Sequence, residues 1–514
     1  MSKEKYRLKY LNARYWQTED QADLEAESDV TIEAEADSRF PELDPHHGDY
    51  VGDAKRKIGI CFSGGGTRSA TCTHGQLRAL KELGVLERVG YISCVSGGAW
   101  AAVPYTFLAE HYEESHFFGS QIDPEFLAYD VLDQINQRNY LYTVSRSGLV
   151  DDLLKHALRG AGDESYSRAL GEVFLEPFDL NSKRRFFAHS TNQVMDAVSR
   201  NPNMTDQDFY VAGRDRPFLI AGGTLLRPGN EDYLFEMTPW YSGIRNLYAS
   251  GGSNNLPIGG GYIESFALDS DSPDEADDAT VTVRVAKKRY RFTLSDMLGT
   301  TGAAPAEKLD QIGLDFIGMP EFKHWPLKNI GQVKAKEYEF GDGGNLENLG
   351  ILPLLSRNVE KIIVFVNTQK ADIRKNGGIN SLFRAGVNQV FEESRLDILH
   401  KQLEECLAGR EPVVGRGSYV TVQNDHHRIP AGHRVEVLWV YNHRYLSWID
   451  QLPSGTQADL KTGRALANFP HYATFFENPP KVIDLDRVQI NLLNQMSSAS
   501  VLASKDLIEG LLSA

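Results

Sequence analysis

Cysteine is scarce in this chain: Cys61, Cys72, Cys94 and Cys406 are the four in 514 residues, and no two of them form a CxxC pair. A disulfide framework is therefore not expected, and thiols in apolar or small-residue settings suit a reducing compartment. Long apolar runs are missing too. No stretch approaches the roughly 18 residues that suggest a membrane span. The basic start, with Lys3, Lys5, Arg7, Lys9 and Arg14, has no apolar segment behind it to make a secretory signal. Positive charge is in deficit, because 54 Lys and Arg stand against 70 Asp and Glu for a formal charge of -16. Nucleic-acid binding needs a dense basic face to neutralise phosphates, so that function class is excluded. Local patches can still dock on lipid. The expectation is a cytoplasmic protein, soluble or peripheral at membranes, of unspecified oligomeric state.

What is present is ample apolar material, 41% of the residues, enough for one large α/β core with insertions or for two to three average domains. Residues 1–53 read as a charged N-terminal arm, basic first and then acidic, with Val30, Ile32 and Ala34 as a competing edge strand. Residues 54–514 read as one catalytic domain. Short apolar runs predict strands at Ile58–Phe62, Tyr91–Val95, Pro217–Leu226, Tyr233–Pro239, Lys361–Asn367 and Arg434–Tyr441, and a hairpin joining Val281–Val285 to Tyr290–Phe292. The unbroken apolarity of Lys361–Asn367 favours a sheet covered on both faces. Helical spacing marks Leu77–Leu83, Ala101–Tyr112, Leu149–Leu158 and the closing Asp486–Leu512.

Three glycine-marked turns stand out. Ile58–Phe62 runs into Ser63-Gly64-Gly65-Gly66-Thr67-Arg68 and then a helix, so three glycines expose backbone N–H groups as an anion nest at a helix start. A phosphate-binding P-loop would need a lysine that this loop lacks. Arg68, a cation in a first helical turn, opposes the macrodipole and so suggests an anionic partner, with an ordinary surface arginine as the alternative. Tyr91–Val95 turns abruptly through Ser96-Gly97-Gly98 into a second helix, in the manner of a nucleophile elbow, although a plain N-cap serine has the same letters. Asp342, between Gly341 and Gly343-Gly344, is either a carboxylate aimed across a narrow gap or part of a type I turn. No histidine lies in a recognisable catalytic motif late in the chain, so a serine–aspartate dyad is more economical than a triad.

Together the three turns resemble the patatin-like acyl hydrolases, and most closely the cytosolic phospholipase A2 and fungal phospholipase B branch. Ser63–Ala70 is similar to that branch's S-G-G-G-x-R-[AS] loop, Val95–Trp100 to its elbow, and Asp342-Gly343-Gly344, followed by Glu347-Asn348 and Ile351–Leu355, to its D-G-G stretch. Phe235–Pro239 and Phe469–Thr474 extend the likeness, which runs from about Lys57 to about Met496. The resemblance implies an α/β three-layer sandwich with a central, mostly parallel sheet, helices on both faces, and a cap or lid inserted at about 110–335. It implies Ser96 as nucleophile, Asp342 as base, and Gly65 and Gly66 as oxyanion donors. Arg68, Gly64 and Gly97 would contact or accommodate the substrate. No metal or cofactor is implied, and nothing before Asp53 resembles a calcium-binding C2 module.

The activity so implied is that of a phospholipase A or lysophospholipase working through a serine acyl-enzyme, with phospholipid or lysophospholipid at a membrane or micelle surface as its partner. The alternatives are a hydrolase of non-phospholipid esters or thioesters, and a catalytically silent lipid-binding protein. The chain departs from the pattern at Cys94, where the elbow usually has glycine, and at Asn367, where relatives commonly have aspartate.

Overall fold

The computed structural model describes residues 9–18, 40–44, 51–145, 164–249, 256–274, 276–277, 279–285, 291–303, 320–328, 330–462, 466–474 and 485–513. The strand considered at Val30–Ala34 and the helix expected at Leu149–Leu158 lie outside them. The elements that frame the site are β1 (Tyr10–Gln17), β2 (Ile58–Phe62), α1 (Gly66–Glu82), β3 (Tyr91–Val95), α2 (Gly97–Phe107), α3 (Ser165–Phe174), β4 (Phe218–Leu225), β5 (Tyr233–Met237), β6 (Tyr241–Ile244), β7 (Gly261–Glu264), β8 (Thr280–Val285), α4 (Leu294–Gly302), β9 (Lys336–Asp342), β10 (Lys361–Val366), α5 (Leu396–Ala408), β11 (Val413–Val420), β12 (Arg434–Tyr441) and α6 (Arg487–Ala503).

One large mixed sheet organises the protein. Its centre is five parallel strands in the order β4-β3-β2-β10-β12, and antiparallel strands continue it on both sides, β11 beyond β12 and β5, β6, β7, β1 and β8 beyond β4. Parallel central strands are covered on both faces and so need apolar side chains throughout, which Ile362–Val366 provide. Alternation then sorts the residues of each strand. Ile60 and Phe62 of β2 face α1, α2 and α6, whereas Cys61 faces the opposite layer with Leu354, Leu399 and Leu403. Phe62 stacks on Phe365, its register partner on β10, with ring centroids 5.2 Å apart. Helices thus cover both faces, in keeping with the expected layers.

Two segments differ from expectation. The arm expected at 1–53 supplies β1, which pairs with β7 on one side and β8 on the other and buries Leu11 and Ala13. Its alternation was obscured by the basic residues around it. Further along, Phe40–Leu43 is buried, and Glu42 joins Glu236 and Arg357 in an ion cluster with side-chain exposures of 0, 2 and 0%. The segment 110–335, expected as a cap, contributes β4 to β8 to the main sheet instead of standing wholly above it. Within it, β8 pairs with β1 and with Ser270–Asp271, and the hairpin expected with Tyr290–Phe292 falls in part outside the described residues.

Candidate active site

The site forms where β4 meets strands of both directions. Gly222 of β4 is the register partner of Val95, the last residue of β3, while the adjacent Gly223 is the antiparallel partner of Asp342, the last residue of β9. Ser96 follows Val95 directly, so two strands remote in sequence deliver a serine and an aspartate side by side. Ser96 Oγ donates to Asp342 Oδ2 at 3.0 Å. The other oxygen, Oδ1, accepts from the N–H of Gly344 at 2.8 Å, and the Asp342 carbonyl accepts from Thr224 Oγ1 at 2.8 Å. The carboxylate is therefore oriented by its own turn before it meets the serine.

Ser96 has φ 51 and ψ -126, a conformation that costs a non-glycine residue on the order of 1–3 kcal/mol and is tolerated where the surroundings over-determine it. Those surroundings can be named. The Ser96 N–H is shared between Thr301 O and Thr301 Oγ1, each at 3.1 Å, and Thr301 Oγ1 donates to Gly222 O at 2.5 Å. One turn further, Ala303 O accepts from Asp342 N at 2.7 Å. The C-terminal end of α4 therefore grips the backbones of both Ser96 and Asp342. Nothing in the local sequence marks Thr301, since its significance depends on the chain returning there after some two hundred residues.

Gly97 and Gly65 are required by geometry. A Cβ on Gly97 would collide with the backbone of Gly66, so the elbow and the glycine loop touch main chain to main chain. Gly65 has φ 136, a region closed to L side chains, and Gly66 opens α1. The N–H of Gly64 is engaged by Asn348 O at 2.9 Å. The N–H groups of Gly65 and Gly66 donate to no acceptor among the described residues, which is the usual condition of first-turn donors and the one an oxyanion needs. Asn348, which the sequence offers only as a letter of the D-G-G stretch with no role attached, packs its amide oxygen against Gly64 and Gly344 and so lies between the loop and the aspartate turn.

Arg68 is 1% exposed. Its Nε donates to Asn367 O at 3.1 Å and a terminal nitrogen to Tyr472 O at 2.6 Å, while the guanidinium packs directly beneath Gly65. Asn367 completes this support. Its N–H donates to Ser63 Oγ at 2.7 Å, and its amide nitrogen reaches Ser69, Thr73 and Gln76. A neutral amide can both donate and accept in this network, which an aspartate could not. Cys94 is accommodated by direct contact with β4, its thiol pointing to Ile220 O at 3.5 Å, and burial pushes that thiol well up from its ordinary value.

Several histidines are spoken for elsewhere. His74 is held between Phe117 O and Asn494, and burial together with Arg78 lowers it to about 3. His427 bonds Asn388 and His471 bonds Thr368 O. Among the described residues no group of three or more His, Cys, Asp and Glu could hold a metal ion, and no helix is long and apolar enough to cross a membrane.

No protein-family model matches the chain. In local sequence it is similar to human cytosolic phospholipase A2 beta, 43% identical over 67 residues that make up 13% of this chain and 8% of that protein. It is also similar to mouse cytosolic phospholipase A2 zeta, 49% identical over 43 residues, 8% of this chain and 5% of that one. Among solved structures, human GIVD cytosolic phospholipase A2 aligns over 90% of this chain and 60% of its own length, with TM-score 0.44 and 16% identity. The same enzyme in complex with methyl gamma-linolenyl fluorophosphonate aligns with TM-score 0.41. The chain thus resembles cytosolic phospholipases A2 while spanning less than two thirds of their length.

Proposed function

We propose that the protein is a lipid acyl hydrolase of the phospholipase A or lysophospholipase type, in which Ser96 and Asp342 form a catalytic dyad. The observation that carries this reading is the 3.0 Å hydrogen bond from Ser96 Oγ to Asp342 Oδ2, made at a strained strand-to-helix turn that touches a glycine loop with two uncommitted N–H groups. Asp342 takes the hydroxyl proton as Ser96 Oγ attacks the acyl carbonyl carbon. The carbonyl oxygen becomes an oxyanion, and the N–H groups of Gly65 and Gly66 stabilise it with the positive end of α1 behind them. Collapse of this intermediate breaks the bond to the lysolipid alkoxide, which leaves with the proton from Asp342. Water then attacks the acyl-serine, giving up its proton to Asp342; collapse breaks the bond to Ser96 Oγ, which takes that proton back, and free fatty acid departs.

A free aspartate has a pKa near 4 and is a weak base. The dyad therefore relies on a short, enclosed contact and on the oxyanion donors, each worth ~100- to 1000-fold in rate. Arg68 serves the reaction from beneath, holding Gly65 and the loop, in place of the direct contact with substrate that the family resemblance implies. The acyl-binding side of the site is proposed to come from within 110–335. The phospholipid preference draws support from the local likeness to cytosolic phospholipases A2, and a non-phospholipid ester remains the second substrate class.

The test is an alkyl fluorophosphonate probe. Labelling located at Ser96 by mass spectrometry, and absent from Ser96→Ala and Asp342→Asn, is the expected result. An unlabelled wild type, or labelling that survives Asp342→Asn at full rate, contradicts the dyad.

A further inference from the structure

Glu347 is an acid in a place that disfavours one. It is 5% exposed, and burial raises its carboxyl to about 7 against the opposing effect of the backbone N–H groups around it. One of its oxygens accepts from the N–H of Leu349, the other from the N–H of Ile351 at 3.0 Å. Its own N–H donates to Gly343 O at 2.9 Å, in the turn that begins with Asp342. Between Glu347 and Leu349, the nearer of the residues its carboxylate holds, lies Asn348, whose carbonyl accepts from Gly64 N at 2.9 Å and whose amide oxygen lies against Gly64 and Gly344. A single side chain thus closes the turn that joins the aspartate to the glycine loop.

We propose that Glu347 is a positioning residue for acyl transfer: by folding the 347–351 turn, its carboxylate fixes Asn348 O on Gly64 and so sets the Gly65 and Gly66 donors against Ser96. The inference rests on the dyad reading. Two N–H groups converge on one side chain, one on each oxygen, an arrangement that uses both oxygens as acceptors without moving the turn. The short helix Leu352–Leu355 that follows could be capped by a neutral side chain at far less cost than a buried carboxylate. Glutamine has the same shape but would present an NH₂ to one of the two N–H groups, so the turn must rotate. Asn348 lies inside that rotation. Gly64 then moves with it, and a Cβ-sized displacement there reaches Ser96 Cβ, which is 3.1 Å from the Gly64 Cβ position.

The test uses the full chain with Glu347→Gln and Glu347→Ala. Fluorophosphonate labelling of Ser96 over a range of probe concentrations separates the maximal rate from the half-saturating concentration. Thermal unfolding and amide hydrogen exchange of the peptide carrying residues 63–66 are measured alongside. The expected result for Glu347→Gln is a maximal rate lower by roughly 10- to 100-fold, the size of a misplacement near 1 Å. Its half-saturating concentration should be unchanged within about twofold, its Tm unchanged or raised, and its exchange at 63–66 faster. Wild-type labelling and exchange in Glu347→Gln overturn the proposal, as does a loss that tracks a fall in Tm. If wild type itself takes no label, the dyad reading fails separately and exchange alone decides: faster exchange at 63–66 keeps the tie, unchanged exchange removes it.

Discussion

At Ser96, backbone strain and side-chain chemistry are coupled, because φ 51 aims Oγ at Asp342 and the Thr301 contacts hold that conformation. Thr301→Val keeps the shape and removes the hydroxyl, leaving the Ser96 N–H with the Thr301 carbonyl alone; a fall in kcat of about 10-fold or more is expected, with Thr301→Ser close to wild type. Steady-state hydrolysis of a soluble ester checks it. Asp342→Asn removes the proposed base, and a loss of ~100- to 10,000-fold in kcat is expected with little change in KM. These residues also show what can be read from a sequence. Ser96 and Asp342 were legible because glycines flank them, and glycine marks turns and close approach wherever it falls. Glu347 and Asn348 were legible only as letters of the D-G-G stretch, without a role, and Thr301 not at all, since ordinary residues acquire their contacts only from a fold that returns to the same place.

At the scale of elements, the positions of strands were more legible than their neighbours. Lys361–Val366 announced itself by unbroken apolarity, and its place between β2 and β12 follows from the need to cover both faces. β1 was hidden because Arg14 and the lysines before it outweighed the alternation of Leu11 and Ala13. The cluster of Arg357 with Glu42 and Glu236 ties the segment after β1 to the layer behind the site, its Nε meeting Glu42 at 2.8 Å and another nitrogen meeting Glu236 at 2.7 Å. Removing the arginine would leave two buried carboxylates facing each other. Arg357→Ala is expected to cost about 3–5 kcal/mol in urea unfolding, whereas Arg374→Ala, on an exposed pair with Glu404, is expected to cost under about 1 kcal/mol.

Across the whole molecule, opposed titrations set the response to pH. Burial lowers His74, His427 and His471 to about 3, so the unfolded chain takes up protons near pH 6.5 that the folded chain refuses. Their contribution is complete above pH 6.5 and is lost as pH falls from there towards 3. Glu347 runs the other way: the folded chain keeps its proton up to about 7 while the unfolded chain releases it near 4.5, so stability is lost as pH rises through that interval. Each group contributes at most about 1.4 kcal/mol per pH unit inside its window. With these three histidines, and His324, His400, His433 and His443 lowered in the same direction by burial, against the raised Glu347 and Glu264, calorimetry should show Tm falling from pH 6.5 to pH 4. Glu347→Gln should match wild type near pH 4 and exceed it at pH 8. Hydrolysis of phospholipid by Ser96 is read from mass spectrometry of mixed phospholipid and lysophospholipid vesicles incubated with wild type and with Ser96→Ala. Free fatty acid and the matching deacylated lipid, appearing with wild type and not with Ser96→Ala, are predicted; equal release by both proteins, or by neither, would contradict it.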